Sequence, residues 1–206
     1  KIIALTFDDG PDPLDTPALL DMLKEKNVPV TFFVLGQECK SAEAQAILRR
    51  EAEEGHEIGS QSYSHKRFKT ISDEEIKKEM ADTAALIRQA TGLGTVLFRP
   101  PSGSYNQHIA QTCGAAIVLW NIDSLDWEHI HYKYSILPYA QEHNISTEEA
   151  TDILVDELVT NGYYNSSGEW VKPLVKQVSH GSILLFHDIH PATRLAISRL
   201  IDALNA

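Results

Sequence analysis

The sequence lacks several features that would quickly place it. It has two cysteines in 206 residues, Cys39 and Cys113. That excludes a disulfide-stapled mini-domain, and two cysteines read as readily as two buried thiols as one bridged pair. Positive charge is scarce: 18 Lys and Arg against 29 Asp and Glu leave a formal net charge of −11. Nucleic acid and anionic membrane surfaces need a basic footprint, so neither is an expected partner. A sugar polymer is compatible with this charge, though not required by it. No apolar run approaches the roughly 18 residues of a membrane span. Repeats, low-complexity tracts and Pro/Gly-rich linkers are also missing, which leaves a single domain over the whole chain. The chain opens at Lys1 without an initiator Met and reads as a domain processed from a longer precursor.

What is present alternates. KIIALTF (1–7), VPVTFFVLG (28–36), TVLFRPP (95–101), AAIVLWNID (115–123) and GSILLFHDIH (181–190) read as strands. Between them lie helix patterns at 15–27, 41–55 and 72–92, and a closing helix follows 190. The first has Asp15 or Thr16 as cap and Pro17 in its opening turn. The second stops at Gly55, and the third opens with a capping box, Ser72 with Glu75. This alternation predicts an α/β fold with mostly parallel strands. Residues 128–180 depart from it: more than fifty residues separate two strands there, with a capped helix predicted over 146–162. This stretch is rich in aromatics, Tyr132, Tyr134, Tyr139, Tyr163, Tyr164 and Trp170. Packing onto the rest of the domain is their expected role, and stacking on sugar rings is the alternative.

The polar residues sit at strand ends. Asp8 and Asp9, Arg99, Asp123 and Asp126, and His187 each follow an apolar run. In parallel α/β folds the active site forms where the strands end. TFDDGP (6–11) places two adjacent carboxylates there; a cation at one and an arginine at the other would let both ionise. Taken alone, DDGP reads more simply as a solvated turn, and a lone His at 187 as a hydrogen-bonded structural residue. EIGSQSYSH (57–65) puts Gln61 and His65 four apart, a spacing that on a helical turn shares one face. Glutamine is a poor zinc ligand.

Together, TFDDGP, GHEIGSQSYSH (55–65), RPPSG (99–103), DSLDW (123–127) and LLFHD (184–188) resemble the motifs of the NodB-homology polysaccharide deacetylases, carbohydrate esterase family four. The resemblance runs from Lys1 to the final helix, and 128–180 is longer than the family pattern. It implies a distorted (β/α) barrel and a metal-dependent deacetylase of an N-acetylated polysaccharide, with peptidoglycan first and chitin or acetylated xylan as alternatives. Carried over by position, Asp8 is the general base, Arg99 its partner, His187 the general acid and Asp126 its orienting carboxylate. Asp9 and His65 are metal ligands. Tyr105, Trp127 and Leu185 bind substrate, with the backbone near Tyr105 stabilising the oxyanion. The implied cofactor is a divalent metal, zinc first, with cobalt, nickel or manganese as alternatives. The implied location is extracellular or on a bacterial cell surface, and the expected state is a monomer.

Gln61 departs from the family, which has a metal-binding His at that position. Its amide oxygen is a weak substitute, or the ligand is lost. An active enzyme with altered metal binding, a glycan-binding pseudoenzyme, and an introduced substitution all remain open. A glycosidase using paired carboxylates leaves Arg99 and His187 unexplained.

Overall fold

The computed structural model describes residues 2–206; Lys1, on which the reading of a processed start rests, lies outside them. In chain order the elements are β1 (Ala4–Asp8), α1 (Thr16–Lys26), β2 (Thr31–Val34), α2 (Ala42–Glu53), β3 (Glu57–Ser60), α3 (Asp73–Thr91), β4 (Leu97–Phe98) and α4 (Gln107–Cys113). They continue with β5 (Ala116–Ile117), β6 (Ile122–Asp123), α5 (Asp126–His129), α6 (Leu137–His143), α7 (Thr147–Asp156), β7 (Tyr163–Tyr164), β8 (Trp170–Val171), α8 (Leu174–Gln177), β9 (Ile183–His187) and α9 (Pro191–Asn205). Seven strands form one sheet in the order β5-β4-β3-β2-β1-β9-β6, and every pairing in it is parallel. β7 and β8 make a separate antiparallel hairpin.

Alternation along the strands sorts the side chains. Leu5, Phe7, Phe32, Val34, Leu184 and Phe186 join one core with Leu19, Leu20 and Leu23 of α1 and Ala196, Ile197 and Leu200 of α9. Phe7 stacks on Phe32 at 5.4 Å and lies 6.0 Å from Phe186. Each such buried ring contributes about 1.5–3 kcal/mol. The intervening positions, Thr6, Asp8, Phe33, Leu185 and His187, face the interior of the curled sheet, where Arg99 meets Thr6, Asp8 and Phe33.

The sequence reads 115–123 as one strand, but the structure splits it. Ala116 and Val118 donate to Val96 and Phe98, beside β4, whereas Asn121 and Ser124 donate to Ile183 and Leu185, on β9. One extended segment therefore runs from one edge of the sheet to the other, and the sheet curls into a half-barrel, the distorted (β/α) barrel expected of it. Arg99 accepts the cost of that crossing: its Nε donates to the Val118 carbonyl at 3.1 Å and its Nη2 reaches that of Leu119 at 3.5 Å.

Helix ends follow local chemistry. Ser41 caps α2, and the capping box of Ser72 and Glu75 is formed at α3. At α1, Asp15 is the cap residue but makes no side-chain cap bond; Asp12 Oδ1 instead accepts the N–H groups of Leu14 and Asp15. The 146–162 pattern is α7 continued by a wider turn to Gly162. Cys39 is buried, and neither cysteine is in a disulfide. No described helix is long and apolar enough to cross a membrane.

Candidate active site

Because all seven strands are parallel, their C-terminal ends meet at one mouth. A cavity of about 560 Å³ opens there, lined by Asp8, Asp9, Gln61, His65, Trp127, Leu185 and His187, among others. Asp8 ends β1 in register with His187 at the end of β9. Asp9 has φ +75°, which breaks the strand's alternation and lets the second carboxylate face the same mouth as the first. At the following Gly10 a Cβ would lie 2.2 Å from Asp188 Oδ2, so any larger residue there requires the Asp188 carboxylate to move.

Arg99 is fully buried and reaches Asp8 Oδ1 at 2.7 Å and Thr6 Oγ1 at 2.8 Å, with its guanidinium 4.2 Å over the Phe33 ring. Burial pushes the Asp8 carboxyl up to about 7, and Arg99 opposes that rise without cancelling it. The arginine therefore does not hold Asp8 at an ordinary carboxylate value; it keeps the group poised near neutrality, where a general base works best.

Across the mouth, Asp126 is fully buried and fully occupied. Its Oδ1 accepts from Trp127 N–H at 2.9 Å and lies 2.9 Å from His187 Nδ1. Its Oδ2 accepts from His187 N–H at 2.8 Å and Thr193 Oγ1 at 2.7 Å. Burial alone would lower the His187 pKa, but the hydrogen bond and charge of Asp126, with Asp8 and Asp9 beyond, raise it to about 9. Burial likewise pushes Asp126 up, and the bonds and charge of His187 win and hold it below its usual range. His187 is thus an imidazolium at neutral pH with a fixed ring.

Gln61 and His65 do not share a helical face. Residues 61–65 form a loop after β3, with Ser62 at φ +72° and His65 at φ +57°. Glu79 of α3 pins this loop, accepting from Tyr63 N–H, Ser64 N–H and Ser64 Oγ at 2.6–2.8 Å. The Gln61 Oε1 accepts from Asp9 N–H at 2.8 Å, and its Nε2 donates to Asp8 Oδ2 at 3.0 Å and lies 3.5 Å from His65 Nε2. Turning the amide over would set oxygen against a carboxylate and NH₂ against an N–H, so its partners fix its sense.

The divalent metal implied by the motifs can be tested against this donor set. Asp9 Oδ1 is buried without a hydrogen-bond partner and lies 3.5 Å from His65 Nε2, an arrangement open to a cation. However, Gln61 presents its NH₂ toward His65, and its oxygen is engaged by a backbone N–H. Among the described residues no three His, Cys, Asp or Glu side chains form a metal-binding group. Zinc sites take three or four protein ligands, so the residues present do not fit a tightly held zinc.

Trp127 and Leu185 line the mouth. Tyr105 is not among the residues lining it, and Ser102 represents its loop there. Trp120, His131 and His190 also line it and were not singled out in the sequence. The spacing H-D-I-H (187–190) was the available signal for His190. The insertion's aromatics divide: Tyr139 and Tyr163 pack against the core as expected, whereas Tyr132, Tyr134, Tyr164 and Trp170 are exposed.

A buried carboxylate–arginine pair thus faces a carboxylate–imidazole pair at the mouth of a parallel α/β barrel, an arrangement compatible with acid–base hydrolysis. The comparisons make this specific. The polysaccharide deacetylase family model matches residues 1–117, and the chain belongs to that family. It is 31% identical over its full length to the peptidoglycan-N-acetylglucosamine deacetylase PgdA of Listeria monocytogenes serotype 1/2a, and spans 36% of that protein's length. The structure of the peptidoglycan deacetylase PdaC from Bacillus subtilis superposes with a TM-score of 0.76 at 30% identity, covering 99% of this chain and 83% of that one. A mutant of a carbohydrate esterase family four pseudoenzyme with restored enzymatic activity superposes at 0.73 with 25% identity, covering 100% of this chain and 62% of that one. The family expected from the motifs is the one the comparisons show.

Proposed function

We propose that this domain holds an N-acetylated cell-wall glycan at the barrel mouth and hydrolyses its acetamide, with Asp8 as base and His187 as acid. The observation that carries this is geometric: Asp8, held by Arg99 at 2.7 Å, ends its strand in register with His187, held by Asp126 at 2.9 Å, and both line one cavity. At neutral pH a share of Asp8 is free to take a proton while His187 has one to give. Water attacks the acetyl carbon as Asp8 takes its proton. The C–N bond breaks as His187 gives its proton to the leaving nitrogen, yielding acetate and a free amine. Arg99 steadies Asp8, and Asp126 fixes the His187 ring so that Nδ1 points inward and Nε2 faces substrate. Leu185 and Trp127 offer apolar surface for the acetyl methyl and the sugar.

The similarity to PgdA and PdaC favours peptidoglycan as the glycan and the cell envelope as the place of action. Gln61 limits the rate, since it stands where the family motif has a metal-binding His and its amide is committed to Asp8 and Asp9. That same amide favours a second reading, a glycan-binding domain without turnover. Acetate release from peptidoglycan and from a pentamer of N-acetylglucosamine, with and without added zinc, cobalt, nickel or manganese, separates the two. Acetate from the native chain supports hydrolysis. Oligomer binding with no acetate under any metal supports the second reading.

A further inference from the structure

Three consecutive residues of the crossing segment meet Arg99. The Val118 and Leu119 carbonyls accept from its Nε and Nη2. The next residue, Trp120, turns its ring to the same side chain, and the Arg99 Cζ stands 5.5 Å over the ring centre. With Phe33 at 4.2 Å, two aromatic faces serve one guanidinium. Both separations fall within the roughly 6 Å over which a ring face attracts a cation, and a planar guanidinium suits such stacking. One residue further on the segment has passed to β9, where Asn121 N–H donates to the Ile183 carbonyl.

The indole occupies a border. It lines the mouth, whereas Arg99 is fully buried and does not. Asp8, bonded to Arg99 at 2.7 Å, does line the mouth. The cation behind Asp8 is thus next to mouth water, and Trp120 is the mouth-lining ring that stands against it. Its outer edge meets the turn that follows Arg99: a Cβ at Gly103 would lie 3.0 Å from the indole Cη2. Gly103 also has φ +63°, so the RPPSG turn closes on the ring only with glycine's small size and backbone freedom. Simple packing does not account for this placement, because Trp120 belongs to neither buried hydrophobic cluster. An ion pair kept from water is stronger than one that water reaches.

We infer that Trp120 is a positioning residue for the Arg99–Asp8 pair: its ring holds the guanidinium in place and keeps mouth water off it. The consequence for turnover rests on the reading of Asp8 as base; the placement of Arg99 does not. Solvent exchange of the Arg99 Nε–H proton, followed by NMR on the full chain, tests the placement without turnover. In the native chain this proton should exchange far more slowly than that of Arg67, which is exposed. Trp120→Ala should speed it at least about tenfold, the worth of a desolvated cation–π contact read as a rate. Trp120→Phe keeps a ring face and should stay near the native rate. Gly103→Ala drives a methyl against the indole and should also speed exchange, which gives an answer if Trp120→Ala does not fold. Backbone N–H groups of β1 and β9 should keep their native rates in every variant. Unchanged Arg99 exchange in Trp120→Ala and Gly103→Ala would overturn the inference. So would equal acceleration of Arg99 and the strand N–H groups, which would make the ring a support of the whole fold. On acetate release, Trp120→Ala should lower kcat and kcat/KM together, whereas a change in KM alone would make the indole a substrate contact and overturn the positioning role. If the native chain releases no acetate, the base reading fails, and exchange that depends on Trp120 still supports the placement.

Discussion

Replacing Gln61 with histidine perturbs two quantities in opposite directions. The native donor set is Asp9 and His65, and Gln61→His adds a third nitrogen beside them. Loss of an outer-shell partner alone changes metal affinity by about 10–100-fold. A direct ligand is worth more, so zinc affinity should rise by more than ~100-fold. The substitution also removes the carboxamide's bonds to Asp8 Oδ2, at 3.0 Å, and from Asp9 N–H, at 2.8 Å. The Asp9 N–H keeps a bond to the Phe33 carbonyl at 3.2 Å, but Asp8 Oδ2 is left short of a partner, which costs about 1–3 kcal/mol. At this chain length that lowers Tm by roughly 2–12 °C. Zinc at 100 times its dissociation constant would return about 2.7 kcal/mol. The assay is scanning calorimetry in chelator and in zinc, with zinc titration and acetate release on the same samples. The variant should be less stable than the native chain in chelator and recover in zinc, with faster acetate release. A variant that binds zinc no better than the native chain would refute the reading of Gln61 as the missing ligand position. A variant as stable as the native chain in chelator would refute the clamp assigned to its amide.

Three further outcomes follow from the geometry. Asp126→Asn should drop the His187 pKa from about 9, read by ring NMR, and move the alkaline limb of any activity profile toward acid. The folded-state rise of His187 stabilises below its unfolded value, 6.5, and that contribution fades as pH climbs through about 9. The stability lost in the variant should accordingly be larger at pH 6 than at pH 10; a pH-independent loss would contradict the pair. Arg99→Met should cost about 3–5 kcal/mol in urea unfolding, because it strips Asp8 and the Val118 and Leu119 carbonyls of a buried partner. A loss below about 1 kcal/mol would show that closure of the barrel does not depend on this side chain. Glu51 is fully buried with neither carboxylate oxygen bonded, and burial raises its pKa well above 4.5. A raised acid costs stability as pH rises above its unfolded value, so Glu51→Gln should raise Tm more at pH 8 than at pH 5. An equal or negative shift at both would mean the carboxyl has a partner in solution.

The sequence by itself carried the family, the α/β alternation and the chemistry-bearing strand ends, because each is local. Apolar runs mark strands, caps mark helices, and Asp8, Arg99, Asp126 and His187 sit at fixed offsets from them. It also marked Gln61 as a departure, since that is a matter of residue type. What it could not decide depended on residues far apart in the chain. The split of 115–123 depends on two different partner strands, β4 and β9, and strand pattern is blind to partners. The Gln61–His65 spacing is helical in number, yet Ser62 and His65 adopt left-handed backbone and Glu79, from a distant helix, pins the loop. Arg99 reads in the sequence as the partner of Asp8, but how strongly burial pushes that carboxyl up against the guanidinium is a property of the folded barrel. The insertion's rings read as packing residues from composition, and only the fold divided them, with Tyr139 and Tyr163 against the core and Tyr132, Tyr134, Tyr164 and Trp170 in water. Residue type and local pattern named the chemistry. Closure of the sheet decided which groups were buried, paired or exposed, because desolvation and distance exist only once the chain has folded.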